Sequence, residues 1–422
     1  MRLLPAILFL LVCSTAFAQG GGGNPFSQSA LNPQLSAIGD FSLANVSRAD
    51  DAASAFVFPG FLSDAVRDGK ERGFNFNFLE LDLSASVDPY FDFFSFISIE
   101  PDGIDVEELY VNTRQLPWGF ALRLGKLFSA FGRLNSQHKH FWDFLDPPLV
   151  YEAFIGAEGI KDVGARLSWT APFDFLLQVH LEVFQGKPEG NPTFDAEGFT
   201  LAAENGSLVS APDAAVPALF ATSVKTSFDS GDHVVLLGVS AMTGPTTATA
   251  LEGPASTGSM YVSDRTWLYG ADVTYKWLMG SYRSLALQAE FLRRQSEGTT
   301  IDGRSAEKNS VDKVNSGLYV QAVWRFDPNG RWRVGARYDI LLENESSHNG
   351  GRFAFPADLP RYSGMLEFSP TEFSRLRLQY NYDRSRFAVV DVAALKRFDQ
   401  KDLQEILLQL TFAVGPHGAH SF

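Results

Sequence analysis

TWLYGADVTYKW, residues 266–277, alternates with a period of two. Trp267, Tyr269, Ala271, Val273, Tyr275 and Trp277 share one face, and Gly270, Asp272, Thr274 and Lys276 share the other. Successive side chains of a strand point to opposite faces, so this is the pattern of a half-buried strand and not of a helix. The two tryptophans stand ten residues apart, roughly 33 Å along an extended chain. Tilted by about 40°, that length gives roughly 25 Å of height, which matches the apolar band of a membrane β-barrel with an aromatic girdle at each rim.

The same alternation recurs along the chain. In RWRVGARYDI, Trp332, Val334, Ala336, Tyr338 and Ile340 oppose Arg331, Arg333, Gly335, Arg337 and Asp339; in RLRLQYNYD, Leu376, Leu378, Tyr380 and Tyr382 oppose Arg375, Arg377, Gln379, Asn381 and Asp383. Sixteen segments read as strands, near residues 33–42, 73–87, 90–99, 104–114, 118–127, 161–170, 173–185, 217–228, 232–243, 265–277, 282–295, 314–326, 331–342, 359–369, 373–384 and 403–415. Alternation alone would also suit a soluble β-sandwich, but the connections decide against it. Tight turns such as VDPY, TAPFD, DSGD and DPNG alternate with long polar segments at 186–216, 244–264, 296–313 and 343–358, with EPDG the one short exception. An even number of strands with short turns at one end and long loops at the other predicts a single closed antiparallel transmembrane barrel.

The ends of the chain agree. Arg2, the apolar run Leu3–Val12 and Ala16-Phe17-Ala18 form a secretory signal peptide over residues 1–18, too short to span a bilayer as an anchor. Residues 19–32, QGGGGNPFSQSALN, read as a flexible leader, and 33–422 as the barrel. The single cysteine, Cys13, falls in the signal, so the mature chain holds together without disulfides. Charged residues make up 20% and aromatics 13%, with 37 Phe, and the net charge of −14 excludes the basic footprint of a nucleic-acid binder. The last strand, EILLQLTFAV, must pair with the first, because an open edge in lipid leaves backbone groups unsatisfied.

LRLGKLFSAFGRLNSQHKHFWDF, PLVYEAFIGAEGI and the ending GPHGAHSF together resemble a group of bacterial outer-membrane porin-like proteins. Its members are often labelled zinc-regulated or TonB-dependent outer-membrane receptors and are distantly similar to phosphate-selective porins. The resemblance implies the cell outer membrane, delivery by the barrel assembly machinery with Phe422 as the C-terminal signal, and passive uptake of small hydrophilic or charged solutes. It also implies a homo-trimer by analogy with porins. A TonB-dependent receptor would need a plug domain, which residues 19–32 cannot form. A metal-responsive receptor working with a partner, or a structural or adhesive surface barrel, remains the alternative.

Strand parity turns Arg123, Arg166, Arg331, Arg333, Arg337, Arg375 and Arg377 toward the lumen, with Glu80, Asp82, Asp272, Glu290, Asp339 and Glu367 as acidic counterparts. The wall is therefore expected to carry a transverse field, or to neutralise itself in salt bridges. Residues 128–160, after the fifth strand, carry Phe128, Phe131, Phe141, Trp142, Phe144 and Phe154 and are too apolar to float in water. The loop resembles the one that folds into the barrel of sixteen-stranded porins. Within it His138, His140 and Asp143, with Asp146 near, are candidate ligands for a divalent metal such as zinc, since H-x-H in an extended stretch puts both rings on one side. His417 and His420 belong to the periplasmic rim. The chain carries no G-x-S-x-G and no H-E-x-x-H, and His180, near Glu182, has no evident nucleophile, so no enzyme and no resident cofactor is expected.

Overall fold

The structure, a computed structural model, describes residues 33–48, 56–62, 70–114, 116–249, 259–392 and 395–415. The signal peptide, the leader, His417, His420 and Phe422 lie outside the described residues.

Sixteen strands close into one antiparallel barrel. The first seven are β1 (Gln34–Val46), β2 (Gly73–Ser86), β3 (Phe91–Glu100), β4 (Gly103–Thr113), β5 (Phe120–Phe128), β6 (Lys161–Thr170) and β7 (Leu176–Phe184). The loop after β7 carries a small hairpin, β8 (Phe199–Ala202) with β9 (Leu208–Ala211). The wall resumes with β10 (Leu219–Ser230), β11 (His233–Thr249), β12 (Met260–Leu278), β13 (Ser284–Ile301), β14 (Lys308–Arg325) and β15 (Trp332–His348). A short strand, β16 (Gly351–Ala354), folds back on β15, and β17 (Leu359–Thr371), β18 (Ser374–Val392) and β19 (Leu395–Val414) complete the circle. Closure is the expected pairing of last strand with first: Ala37 lies opposite Val414 and Val46 opposite Glu405.

The alternation reads out as expected. On β12, Thr266, Leu268, Gly270 and Asp272 are buried, while Tyr269, Val273 and Trp277 are each about two-fifths exposed on the outer face. Val320, Val334, Leu366, Leu378, Leu408 and Leu410 continue that exposed apolar surface around the wall. A girdle of this kind is stable against lipid and not against water. No helix among the described residues is long and apolar enough to cross a membrane; the chain crosses with strands.

The wall is uneven. Strands β3 to β7 have 9–11 residues, whereas β11 to β15, β18 and β19 have 17–20. Eight further residues add roughly 26 Å of strand, more than the apolar band requires. Much of what reads as polar loop near 244–249, 260–264, 296–301, 308–313 and 343–348 is therefore strand, rising beyond the girdle.

Candidate functional site

Residues 129–160 leave the end of β5 and cross the lumen. Phe131, Leu134, Trp142, Leu149, Tyr151, Phe154 and Ile160 are buried there in one cluster with Tyr110, Met242, Leu268, Leu292 and Tyr319 of the wall. Aromatic density predicted that this loop would leave the water, and the barrel interior is where it goes. Phe58 and Phe61, from the connection after β1, join the same cluster, with the Phe61 ring 5.5 Å from that of Phe154. The strand pattern does not mark that second insertion; its one sequence signal is a short apolar run, AFVFPGFL at 55–62, inside a polar connection.

The entering limb is pinned by backbone amides. Ala130 N–H donates to Glu182 at 2.9 Å, Gly132 N–H to Ser240 Oγ at 3.0 Å and Arg133 N–H to Glu290 Oε1 at 3.0 Å. Lys225 Nζ donates to the Gly132 carbonyl at 2.7 Å. Gly132 has φ near +64°, which favours glycine, and a Cβ there would stand 2.1 Å from Glu290 Oε1, so a larger residue would have to displace the carboxylate that anchors the loop. A single turn of helix, α1 (Leu149–Phe154), follows Pro147 and Pro148 and is buried along its whole length. Its Tyr151 hydroxyl donates to Glu290 and accepts Leu134 N–H at 3.1 Å, tying both limbs to one carboxylate.

The far side of the lumen holds a seat of arginines. Arg333 Nη2 lies 2.7 Å from Glu367 and Nη1 2.8 Å from Asp143 of the loop. Arg337 bridges Asp339 at 2.9 Å and Asp146 at 3.1 Å. Arg361 meets Glu152 at 2.8 Å, Asp146 at 3.0 Å and Asp339 at 3.3 Å, and Arg386 meets Glu152 at 2.5 Å and Asp383 at 2.9 Å. Arg377 and Arg375 lie 2.9 and 3.8 Å from Glu367 and donate to the loop carbonyls of Trp142 and His140. Six arginines thus face six carboxylates, three on the wall and three on the loop. Burial alone would raise the Asp146 carboxyl, but Arg337 and Arg361 hold it below the usual range, so it stays ionised in the seat.

Two sequence readings need correction. Asp143 is not beside the histidines, because Arg333 takes it. Arg331 stands outside β15, exposed in the turn before it, where its N–H donates to Asp327 at 3.1 Å, so it is not part of the lumen wall. Arg123 lies over the Tyr110 ring at 4.0 Å, Arg166 binds Glu182 at 2.5 Å, and Asp82 accepts from Ser36 at 3.0 Å.

Glu80 belongs to a buried cage about His138. The ring's Nδ1 is 3.0 Å from Glu107 and 3.6 Å from Glu80, and Nε2 is 3.0 Å from Glu108. His140 Nδ1 is 3.3 Å from Glu80. Adjacent residues of a regular strand face opposite ways, yet Glu107 and Glu108 both reach the ring, because β4 bulges there against Phe96 and Ile97 of β3. Burial would push the His138 pKa down, but Glu80, Glu107 and Glu108 together hold it well above its ordinary value. The Phe96 and Phe128 rings close the cage at 4.5 and 5.3 Å.

The arginine seat changes what a lumen mutation should do. Replacing Arg333 and Arg375 together with Ala unpairs Asp143 and leaves Glu367 with Arg377 alone. Permeability should move toward cations, and conductance should rise as the loop loses its tie to β15. An unchanged reversal potential and an unchanged conductance would place these pairs off the conduction path.

Fold and site together define an outer-membrane β-barrel of sixteen strands with a loop folded into its lumen, and its exposed girdle seats it in the outer membrane. The chain belongs to the same family as an uncharacterized protein of Aquifex aeolicus (strain VF5), to which it is 40% identical over 404 residues, 94% of this chain and 82% of that one. No protein-family model matches it. Similar solved structures include OmpT, an outer membrane protein of Vibrio cholerae (TM-score 0.50, 10% identity, 94% of this chain and 100% of that one). The outer membrane channel DcaP of Acinetobacter baumannii is similar too (TM-score 0.50, 9%, 94% and 100%), as is OprB of Pseudomonas putida (TM-score 0.51, 9%, 92% and 95%). At such identities the likeness is one of fold.

Proposed function

We propose that the protein is a porin-like channel for passive uptake of small hydrophilic or charged solutes, narrowed by residues 129–160. The observation that carries this reading is the shape of what the loop leaves open. A polar gap of about 80 Å³ remains between the loop and the wall of β1, β2, β3 and β19, lined by Asp40, Asn77, Glu100 and Gln409 on the wall and Lys139 and Trp142 on the loop. That volume holds several waters and not a sugar, and in this reading it is the narrow part of the path, passing ions and very small solutes and holding larger ones back. The arginines of the other wall are already paired, and Asp40, Glu100 and Glu158 outnumber Lys70 and Lys139 at the gap, which favours cations.

Enzymatic chemistry is the weaker reading. His180 Nδ1 does meet Ser168 Oγ at 2.8 Å. However, the nearby carboxylate, Glu182, is taken by Arg166, Ser129 and Ala130, so it does not orient the ring for nucleophilic catalysis.

Reconstitution in planar bilayers under a salt gradient tests the proposal. Small ohmic steps with a cation-side reversal potential are expected. A silent membrane, from protein shown to be folded by its heat-modifiable mobility, would overturn it.

A further inference from the structure

We propose that the cage around His138 is a binding site for one divalent transition-metal ion, held by His138 Nδ1, Glu107 and Glu80 and fastening the loop to β2 and β4. The proposal does not depend on the channel reading, because it concerns binding alone.

Three features of the cage support it. First, the donor atoms of Glu80, Glu107 and His138 all lie within 4.8 Å of one another and all three residues are buried. One imidazole with two carboxylates is a donor set for zinc, manganese or iron and not for calcium or magnesium, which favour oxygen alone. Second, Glu80 is 2% exposed, and its Oε1 accepts no hydrogen bond while pointing at the His138 ring. That oxygen, buried and aimed into the cluster 3.6 Å from His138 Nδ1, is the atom through which Glu80 would ligate an ion. Third, the second nitrogen of His138 is already served. Nε2 lies 3.0 Å from Glu108, so its N–H donates there, and Nδ1, on the side of Glu107 and Glu80, is the nitrogen that would ligate the ion. A carboxylate behind the imidazole is the arrangement that orients metal-bound histidines. Glu108 is thus a positioning residue, and binding exchanges the Nδ1 proton for the ion.

The site is distinct from the H-x-H pair read in the sequence. His140 turns to the other oxygen of Glu80, and Asp143 is engaged by Arg333. Only the bulge of β4 makes the ligand set, by bringing Glu107 and Glu108 inward together.

The test uses the full-length barrel, extracted from membranes, stripped with chelator and titrated calorimetrically with Zn²⁺, Mn²⁺ and Ca²⁺. Zn²⁺ is expected to bind at one ion per chain and Ca²⁺ not at all. Glu80→Gln and Glu107→Gln should each weaken Zn²⁺ at least about 100-fold, and Glu108→Gln about 10- to 100-fold by releasing the ring. A His417→Ala/His420→Ala variant should bind as the parent does. Co²⁺ absorption of the parent protein reads the coordination without any substitution, so the test survives a variant that fails to fold. A tetrahedral or five-coordinate spectrum that is lost when His138→Asn is introduced supports the site. Absence of stoichiometric binding, binding retained in Glu107→Gln, or a fully aquo-like Co²⁺ spectrum would overturn it.

Discussion

Replacing residues 136–148 with a short Gly-Ser linker from Asn135 to Leu149 is expected to raise single-channel conductance several-fold. The excised stretch carries Trp142 and Leu145, which border the open gap along β1, β2, β3 and β19, so its loss widens the passage directly. It also carries Asp143 and Asp146, two of the three loop carboxylates that neutralise the arginine seat. Arg333, Arg337, Arg375 and Arg377 then face water on one wall with Asp339 and Glu367 as their nearest partners. Glu80, Glu107 and Glu108 lose His138 on the other, so both walls become more strongly charged and the transverse field grows. Swelling of liposomes in small sugars should accelerate, because the parent gap is too small for them. The barrel itself should persist, since its ladders run strand to strand and helix α1 keeps its own ties to Glu290 and Asp339. Unchanged conductance with a folded barrel would mean that ions pass where the loop does not lie.

Strand parity is legible because a closed barrel separates lipid from lumen on every strand, so a one-residue error would put Arg377 or Asp339 in the membrane. The inward insertion of residues 129–160 is legible too, from aromatic density in a segment that water would not tolerate. Pairings within the lumen are not. Asp143 and Arg333 are 190 residues apart and Glu152 and Arg386 are 234 apart. Any loop acid could have met any wall arginine until the loop's path was known. The strand ends of β11 to β15 read as loop because, above the girdle, both faces of a strand are polar and the period of two disappears. The bulge at Glu107 left no trace, since it is set by β4 pairing with β3 and not by an unusual residue. That is why His138 was legible as a candidate ligand while its contacts with Glu107 and Glu108 were not.

Arg361→Met should destabilise the barrel by about 3–5 kcal/mol, the typical cost of removing one member of a buried ion pair. Arg361 is 2% exposed and touches Glu152, Asp146 and Asp339, and it also donates to the Pro147 carbonyl. Its loss leaves the loop acids Glu152 and Asp146 leaning on Arg386 and Arg337 alone, in a site that water reaches poorly. The loop should therefore loosen at α1 first, seen as flickering conductance at denaturant concentrations where the wall is still intact. The urea midpoint in detergent, read by tryptophan fluorescence and heat-modifiable mobility, should fall with it. Pairing the change with Glu152→Met should recover part of the loss, because an apolar pair of similar volume leaves no unmatched charge from Glu152, though Asp146 and Asp339 must still share Arg337 as their one arginine. Arg352→Met is the contrast. Arg352 pairs with Glu345 above the girdle with a side chain 73% exposed, and solvent screens that contact, so its removal should leave the midpoint where it was. If Arg361→Met proves no more harmful than Arg352→Met, the arginine seat does not hold the loop, and packing of Phe131, Trp142 and Phe154 alone must do so.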